Sequence, residues 1–385
     1  MLYRTVPSTG APLSILGFGA MRLPQKDGVI DRPAARSTLA AALAGGITLL
    51  DTAWPYHGGE SEPFLGEALA GVPRESYALM TKLPCWLVKT REDLASYLPR
   101  QLERLGTAYL DYYLLHSLDR GSWATMCELG ALAYLEEARD EGLIRHVGFS
   151  FHDDLPTFRR IVDAHPWDVC LIQYNYLDQS FQAGSAGLAY AVSKGIGVMV
   201  MEPLRGGALA SPVPPEVQAA WDRAPVRRSP AAWALRWVWD HPGVVSVLSG
   251  MGSVSQVEEN CATAREAHPG ALSPREHEAV REAASAYRSL LRVACTGCRY
   301  CLPCPEGVDI PSCFELYNAR YLFKDERAPE KYATWLCGGG ENAPSDVSLC
   351  TQCGKCVVRC PQGLDIPTLL GEVDRDLREK DAGGH

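Results

Sequence analysis

Short apolar runs alternate with helix-like stretches from residue 11 to about residue 265. The runs are rich in Val, Ile, Leu and Tyr, as parallel strands buried on both faces are. They cover residues 14–21, 47–52, 77–82, 109–116, 145–150, 169–175, 197–202 and 244–249. The stretches between them have the apolar spacing of amphipathic helices, and several end close to a glycine, as helices commonly do. Eight strands that are each followed by a helix predict a (β/α)8 barrel.

The alternative arrangement is an open, doubly wound sheet. Sheets of that kind that bind dinucleotides carry G-x-G-x-x-G after the first strand, whereas Gly17-Phe18-Gly19 lacks the third glycine. The chain of 385 residues is too long for one ordinary domain but accommodates a large barrel and a small module. We therefore expect a barrel domain over residues 1–290 and a second domain over residues 291–385.

Two runs of four cysteines dominate the segment after residue 290. The upstream run, C-x2-C-x2-C-x2-C-P, consists of Cys295, Cys298, Cys301 and Cys304. The downstream run, C-x2-C-x2-C-x3-C-P, consists of Cys350, Cys353, Cys356 and Cys360. The downstream spacing is that of a bacterial ferredoxin [4Fe–4S] site. Structural zinc, the main alternative, commonly uses two separated C-x2-C pairs, so the packed runs favour iron–sulfur clusters.

Eight cysteine ligands favour two [4Fe–4S] clusters over one. In two-cluster ferredoxins the fourth cysteine of each run binds the other cluster. By that rule Cys360 joins the first three upstream cysteines, and Cys304 joins the first three downstream ones; the short spacing before Cys304 leaves this partition open. The similar phrases PEGVDIP and PQGLDIP follow the two runs, and each is expected to precede a helix. We expect a small, mainly helical ferredoxin-like domain.

The net charge and the composition limit the classes of binding partner and the cellular compartment that we expect. The net charge of −9, without a basic run, argues against nucleic acid and anionic membranes as partners. The sequence has no apolar stretch of about 18 residues for a membrane span, and the first residues lack the order of a signal peptide. The other six cysteines are scattered, which is typical of buried thiols in an unsecreted protein. We expect a cytoplasmic protein.

Four ionisable residues stand at the ends of the second, third and fourth predicted strands. Asp51 closes the second strand and Tyr56 follows in its loop, whereas Lys82 and His116 close the third and fourth strands. Each alone has an ordinary structural explanation, such as a cap for Asp51 or a solvated side chain for Lys82. The active site of a (β/α)8 barrel forms at the C-terminal ends of its strands, however, so all four are expected to line one sector of one mouth.

Together these four residues form a coherent set for acid–base chemistry. Tyrosine has an ordinary pKa near 10, which is too high for efficient acid catalysis at neutral pH. A neighbouring Lys82 ammonium is expected to favour the phenolate and lower the pKa of Tyr56, while Asp51 keeps Lys82 charged. His116 is placed to donate to a substrate carbonyl. The set suits the protonation of an oxygen while a hydride reaches the carbon.

Two short segments carry a family resemblance. DTAWPY over residues 51–56 and GEAL over residues 66–69 resemble the second-strand signature of the aldo-keto reductase superfamily. The resemblance covers roughly residues 3–265 and includes an N-terminal hairpin below the barrel. It implies that Asp51, Tyr56, Lys82 and His116 are catalytic. With its tail, the chain is similar to a prokaryotic branch of predicted oxidoreductases with a C-terminal [4Fe–4S] domain.

The resemblance also implies a nicotinamide nucleotide, NAD(P)H, at the same mouth. Ser150 and Gln173 match the residues that hold the carboxamide. The loop that covers the pyrophosphate matches Pro203, Leu204, Arg205, Gly206 and Gly207. The adenosine half matches Ser249, Gly250, Ser253, Gln256, Glu259 and Asn260.

Three positions depart from the family pattern. Phe151 stands where many members have Asn, and Met201 stands where a tyrosine often stacks on the nicotinamide. The segment 249–260 contains no Lys or Arg, although NADP-preferring members usually place cations there. We therefore expect NADH to bind at least as tightly as NADPH, unless Arg205 reaches the 2′-phosphate.

The sequence thus supports two functional hypotheses. The first is a nicotinamide-dependent oxidoreductase that acts on a small aldehyde, ketone or alcohol. The second is an electron-transfer or redox-sensing protein in which the barrel binds nucleotide and a redox partner protein exchanges electrons. A hydride carries two electrons and a [4Fe–4S] cluster carries one, and no flavin motif is evident, so the role of the clusters stays open. The complete set of four polar residues favours the enzyme.

Overall fold

The computed structural model describes residues 1–210, 212–338 and 343–378. The chain separates into two compact units. The first consists of Met1–Leu204 and Ala231–Ser273, and the second of Arg205–Pro230 and Pro274–His385, as far as these residues are described. Residues 274–290 group with the second unit, and the division into 1–290 and 291–385 that the sequence suggests stays a prediction.

The first unit contains a closed barrel of eight strands. The strands of the chain are β1 Tyr3–Thr5, β2 Pro12–Ser14, β3 Leu16–Gly19, β4 Gln25–Lys26, β5 Val29–Ile30, β6 Leu49–Asp51, β7 Ala78–Leu83, β8 Leu110–Leu118, β9 Ile144–Phe151, β10 Val169–Gln173, β11 Gly197–Met201 and β12 Val244–Ser249. The barrel consists of β3 and β6 to β12, each parallel to the next, and β12 closes on β3. The predicted (β/α)8 barrel is confirmed, and the open sheet is excluded.

Helices follow the barrel strands. They are α1 Arg32–Ala44, α2 Ser61–Leu69, α3 Arg91–Leu105, α4 Arg120–Glu128, α5 Ala131–Asp140, α6 Leu155–Ala164, α7 Gly184–Ser193, α8 Pro215–Arg223, α9 Pro230–Trp239 and α10 Val254–Ala264. Local chemistry sets their ends. Thr90 and Asp93 form a capping box at the start of α3, and Gly106, with a φ of 60°, ends it in the left-handed conformation.

Apolar side chains fill the lower interior of the barrel. The strands β1 and β2 pair as an antiparallel hairpin, with Tyr3 opposite Ser14. Val6 and Leu13 from this hairpin pack in one buried cluster with barrel residues such as Met80 and Leu171. The N-terminal end of the barrel interior is thus a packed apolar core, and an active site is expected at the opposite end.

The second unit is mainly helical, as expected. Its further helices are α11 Pro274–Leu290, α12 Ile310–Leu322, α13 Ala328–Trp335 and α14 Ile366–Arg378. The last three share a buried core that includes Phe314, Tyr332 and Val373. The two similar phrases noted in the sequence lead directly into α12 and α14, each with a proline in the first turn.

Among the described residues, no helix is both long enough and apolar enough to span a bilayer.

Candidate active site and cysteine clusters

Barrel strands bring the four predicted polar residues together at one mouth. Asp51 ends β6, Lys82 lies in β7 and His116 lies in β8, and all three are at least 96 % buried. Tyr56 begins a short turn after β6 and is partly exposed. A proton donor must be accessible to the substrate, and the partly exposed Tyr56 hydroxyl beside three buried polar side chains meets this requirement.

The Lys82 ammonium connects this group of residues. Its Nζ donates to Asp51 Oδ1 at 2.5 Å and to the Thr52 carbonyl oxygen at 2.7 Å, and lies 3.4 Å from the Tyr56 hydroxyl. An ammonium has three N–H donors. These three oxygens therefore match its capacity and fix the ammonium beside the phenol.

Burial and charge oppose each other in this cluster. Burial raises the pKa of Asp51 and lowers the pKa of Lys82, and in each case the charge of the partner acts in the opposite direction. The Glu62 carboxylate adds a further field that raises the pKa of Lys82. Burial, followed by the Lys82 charge, holds the pKa of His116 well below its ordinary value, so His116 is a neutral imidazole at pH 7.

Aromatic groups surround His116. The ring centres of Tyr56 and His116 are 6.0 Å apart, and those of Trp86 and His116 are 5.0 Å apart. Trp86 is 37 % exposed and adjoins Leu87, which is 42 % exposed. Trp86 was not among the residues predicted from the sequence, where its only signal is an aromatic residue shortly after Lys82. Trp86 and Leu87 form an apolar surface beside the polar group.

A second histidine, His152, also lies near His116. Its charge is among the causes that lower the pKa of His116, and burial lowers the pKa of His152 itself to about 4. The Nδ1 of His152 is 3.2 Å from Gln182 Oε1. His152 was not among the residues predicted from the sequence, where it stands two residues after the predicted nucleotide contact Ser150.

Contacts with neighbouring elements stabilise the loop that carries Tyr56. The Arg104 guanidinium carbon lies 3.6 Å from the centre of the Trp54 ring, and Thr52 Oγ1 is 2.9 Å from Ser61 Oγ. His57 has a φ of 53°, and its Nε2 accepts from the Leu23 backbone at 3.2 Å. These contacts anchor the loop that places the Tyr56 hydroxyl 3.4 Å from Lys82 Nζ.

The residues expected to hold the carboxamide lie at the same end of the barrel. Ser150 near the end of β9 accepts a hydrogen bond from the Ser117 backbone at 2.6 Å. Gln173 ends β10, and its Nε2 donates to Asp178 Oδ2 at 3.0 Å. Both side chains are buried, and their partners fix their orientation.

The loop expected to cover the pyrophosphate has an unusual backbone. Arg205, Gly206 and Gly207 all have positive φ angles, of 49°, 69° and 102°. The Arg205 side chain is buried, and its Nη2 lies 3.4 Å from the Ala294 carbonyl oxygen. Pro203 is buried and Leu204 is partly buried.

The expected adenosine residues lie at the end of β12, in the turn that follows it and on α10. Ser253 caps this helix, and Gln256 Oε1 accepts from the Gly252 backbone at 2.8 Å. Asn260 and Ser249 are buried, with Asn260 Nδ2 donating to Ser249 Oγ at 3.3 Å. Glu259 is exposed on α10.

A cation from another loop lies against this segment. A Cβ on Gly250 would be 2.9 Å from the Cβ of Arg22 and 3.1 Å from its Cγ and Cδ, so the Arg22 stem lies along the Gly250 backbone. Arg22 was not predicted as a nucleotide contact, because it is far in the sequence from the segment 249–260. The signal would have been the adjacency of the first and last strands in a closed barrel.

The eight cysteines divide between two cavities. One cavity is lined by Cys304, Cys350, Cys353 and Cys356. The other is lined by Cys295, Cys298, Cys301 and Cys360. Each cavity thus takes three cysteines from one run and the fourth from the other run.

The residues that line the two cavities indicate which kind of metal group they suit. In the described part of the chain, no three His, Cys, Asp or Glu side chains converge as the ligands of a single metal ion do. The thiols surround a cavity instead, with apolar neighbours such as Ile310 and Phe314. This donor set fits a multi-iron cluster better than a structural zinc ion.

Comparison with known proteins supports both parts of the chain. The family model "Aldo/keto reductase family" matches residues 15–284, and the model "4Fe-4S dicluster domain" matches residues 294–365. L-galactose dehydrogenase of Arabidopsis thaliana is 31% identical over 285 residues, which cover 68% of this chain and 88% of that protein. NADH-specific methylglyoxal reductase of Escherichia coli is 27% identical over 302 residues, which cover 66% of this chain and 91% of that protein.

Solved structures agree with the barrel. An aldo-keto reductase of Bacillus halodurans in its holo form matches with a TM-score of 0.62 and 26% identity, covering 74% of this chain and 96% of that one. The matches to the barrel and to the tail agree with the resemblance noted in the sequence. The chain belongs to the aldo/keto reductase family of oxidoreductases and carries a C-terminal 4Fe-4S dicluster domain.

Proposed function

We propose that this protein catalyses nicotinamide-dependent hydride transfer to an aldehyde or ketone, or from the corresponding alcohol, with Tyr56 as the proton donor or acceptor. The observation that carries the proposal is the buried Lys82 ammonium, which is hydrogen-bonded to Asp51 and lies 3.4 Å from the Tyr56 hydroxyl. A barrel that only bound nucleotide would gain nothing from burying an ion pair beside a partly exposed phenol.

Each side chain has a defined part in this reaction. In reduction, Tyr56 gives its proton to the carbonyl oxygen as a hydride reaches the carbonyl carbon, and Lys82 stabilises the resulting phenolate. Asp51 keeps the ammonium charged and oriented. His116, which is neutral at pH 7, donates a hydrogen bond to the same carbonyl oxygen. The nicotinamide nucleotide supplies the hydride, and Ser150 and Gln173 are the residues that would hold its carboxamide.

The substrate in this proposal is a small carbonyl compound or alcohol. Similar proteins are named for L-galactose and methylglyoxal, which are both small and oxygen-rich. The polar side chains of Tyr56 and His116 suit the reacting carbonyl oxygen. The exposed apolar side chains of Trp86 and Leu87 suit the hydrocarbon part of a substrate.

Isotope transfer tests this proposal. NADH that carries deuterium at the transferable position of the nicotinamide ring is mixed, without oxygen, with a panel that includes methylglyoxal. The expected result is an alcohol with one deuterium on the former carbonyl carbon. Reduction that leaves this carbon without deuterium would contradict direct hydride transfer.

We also propose that NADH binds at least as tightly as NADPH. The segment 249–260 offers hydroxyl and amide groups, such as Ser253 and Gln256, beside the carboxylates of Glu258 and Glu259. These carboxylates would repel a 2′-phosphate, whereas a ribose hydroxyl could bond to the hydroxyl or amide groups. The buried Arg205 side chain lies by the Ala294 carbonyl. Arg22 lies against Gly250, and a contact between its guanidinium and a 2′-phosphate would contradict this part of the proposal.

In the second domain, we propose two [4Fe–4S] clusters with exchanged fourth ligands. Cys295, Cys298, Cys301 and Cys360 would hold one cluster, and Cys350, Cys353, Cys356 and Cys304 the other. The grouping of these thiols around two cavities supports the assignment. Such clusters would supply one-electron storage. Because cluster ligation requires reduced thiols, we place the protein in the cytoplasm.

The two cysteine cavities favour one alternative function, an electron-transfer or redox-sensing protein that works with a redox partner. In that case NADH would reduce the clusters in the absence of any carbonyl compound. Anaerobic stopped-flow spectroscopy distinguishes the two functions, because bleaching of the cluster absorption by NADH alone is expected only for the alternative.

A further inference from the structure

A buried carboxylate lies behind the candidate active site. Glu62, near the start of α2, is fully buried, and its position is fixed by three donors. Its Oε1 accepts from Thr81 Oγ1 at 2.7 Å and from Gln101 Nε2 at 2.6 Å, and its Oε2 lies 3.4 Å from Arg104 Nη1. The Arg104 guanidinium forms an ion pair with this carboxylate, and the two other donors replace the water that burial removes.

These donors belong to the elements that carry the active-site groups. Thr81 directly precedes Lys82 in β7, and Gln101 Nε2 also donates to the Lys82 carbonyl oxygen at 3.1 Å. Arg104 stacks on Trp54 in the loop that leads to Tyr56. Glu62 therefore connects the Lys82 strand and the Tyr56 loop through a single carboxylate.

Close packing of two helices makes this connection possible. A Cβ on Gly66 would lie 2.4 Å from the Arg104 carbonyl oxygen, so only glycine lets α2 approach α3 at this point. The approach brings Gln101 and Arg104, both on α3, within reach of Glu62 on α2. The GEAL segment at residues 66–69 thus has a physical role in forming the network.

The charges around the Tyr56–Lys82 pair give Glu62 a second effect. The charges of Asp51 and Glu62 both raise the pKa of Lys82 and so favour its ammonium, whereas His116 nearby is neutral. Glu62 itself faces Arg104, whose side chain is 29 % exposed, and lies near the Tyr113 hydroxyl, which donates to Gln101 at 2.8 Å. Because both groups are buried, where the dielectric constant is low, the charge of Glu62 acts strongly on the Lys82 ammonium.

We propose that Glu62 is a positioning residue for the reaction: its negative charge retains the proton of the Tyr56–Lys82 pair, and its hydrogen bonds fix both partners in place. This inference rests on the proposed function of Tyr56 and Lys82. A purely structural glutamate would contribute the hydrogen bonds but would leave the proton affinity of the pair unchanged.

Two substitutions separate charge from structure. Glu62→Gln and Arg104→Met both break the contact between these side chains, but they remove opposite charges. Without the Glu62 carboxylate the pair loses its proton more easily, so the alkaline limb of kcat/KM for methylglyoxal reduction should move to lower pH. Without the Arg104 cation the pair holds its proton more tightly, so the limb should move to higher pH. We expect each shift to be roughly half a unit to one pH unit, since these charges are farther away than a direct partner.

A second readout does not depend on the substrate. The ionisation of Tyr56 is followed by ultraviolet difference spectroscopy, with the same protein carrying Tyr56→Phe as the reference for each variant. The midpoint should move in the same direction as the alkaline limb. Thr81→Val, which removes a neutral donor from Glu62, is the matched control and should leave the midpoint in place.

The possible results separate this inference from the function on which it rests. Shifts of opposite sign for Glu62→Gln and Arg104→Met support the inference. Equal shifts in one direction, or no shift, would overturn it even if Tyr56→Phe abolishes reduction. Full activity of Tyr56→Phe would instead overturn the proposed function. If Glu62→Gln fails to fold, the upward shift required of Arg104→Met still decides the inference.

Discussion

At the scale of single residues, the four polar side chains at the barrel mouth were predictable from the sequence. The residues that pack against them were not. Asp51, Lys82 and His116 follow apolar runs along the chain, so barrel geometry alone brings them together. Glu62 and Trp86 have no comparable signal, because a buried carboxylate on a helix and an aromatic residue in a loop occur in many folds. Their roles depend on contacts between elements that are distant in the sequence.

Asp51→Asn tests the buried ion pair. The variant leaves the Lys82 ammonium, which is 1 % exposed, without the carboxylate it contacts at 2.5 Å. Leaving a buried charge uncompensated costs about 3 kcal/mol or more. We expect the free energy of unfolding at pH 7, measured with urea, to fall by roughly that amount, and carbonyl reduction to fall at least about tenfold.

The pH dependence of this deficit follows from its cause. In the variant the pKa of Lys82 lies lower in the folded state than in the unfolded state, so the unfolded chain binds more protons between those two values. Stability then rises with pH across that window. The deficit relative to the parent protein should therefore narrow as pH approaches the ordinary lysine pKa, about 10.4. A deficit that is constant with pH would show that Lys82 keeps its charge.

At the scale of elements, the strands were predictable because their burial on both faces produces continuous apolar runs. The runs at 169–175, 197–202 and 244–249 contain the observed β10, β11 and β12. The contact between Arg22 and Gly250 was not predictable, because it depends on how closely two loops from opposite ends of the barrel sequence approach.

Gly66→Ala tests the contact between α2 and α3. The new Cβ would lie 2.4 Å from the Arg104 carbonyl oxygen, so the two helices must separate. Such overpacking costs about 1–3 kcal/mol, and we expect a matching loss in urea unfolding. Gly371→Ala in α14 is the control: a Cβ there meets nothing within 4 Å, so this change should be neutral or stabilising. Equal effects of the two changes would contradict the packing argument.

Nucleotide choice tests the loop after β12. Fluorescence titration should show NADH binding at least as tightly as NADPH, because the segment 249–260 offers no cation to the 2′-phosphate. If Arg22 does not contact that phosphate, Arg22→Ala should change the affinities for NADH and NADPH by the same factor. A preference for NADPH of more than about tenfold, a gap of about 1.4 kcal/mol, that disappears in Arg22→Ala would contradict the proposal and identify the missing cation.

At the scale of the whole molecule, the cysteine spacing predicted an exchange of fourth ligands that agrees with the two groups of thiols. Anaerobic protein should contain on the order of eight irons per chain. Cys298→Ala and Cys360→Ala should each remove about four irons, and the double variant should lose no more than either alone, because both ligands belong to one cluster. Additive losses would assign each run to its own cluster.

Tyr56→Phe in a single-turnover experiment tests the central claim most directly. The change keeps the ring packing but removes the hydroxyl that lies 3.4 Å from Lys82 Nζ. With NADH bound and methylglyoxal added anaerobically, the rate of NADH oxidation should fall at least about a hundredfold, the usual scale of general acid–base catalysis, while NADH affinity stays nearly unchanged. An undiminished rate would contradict the account.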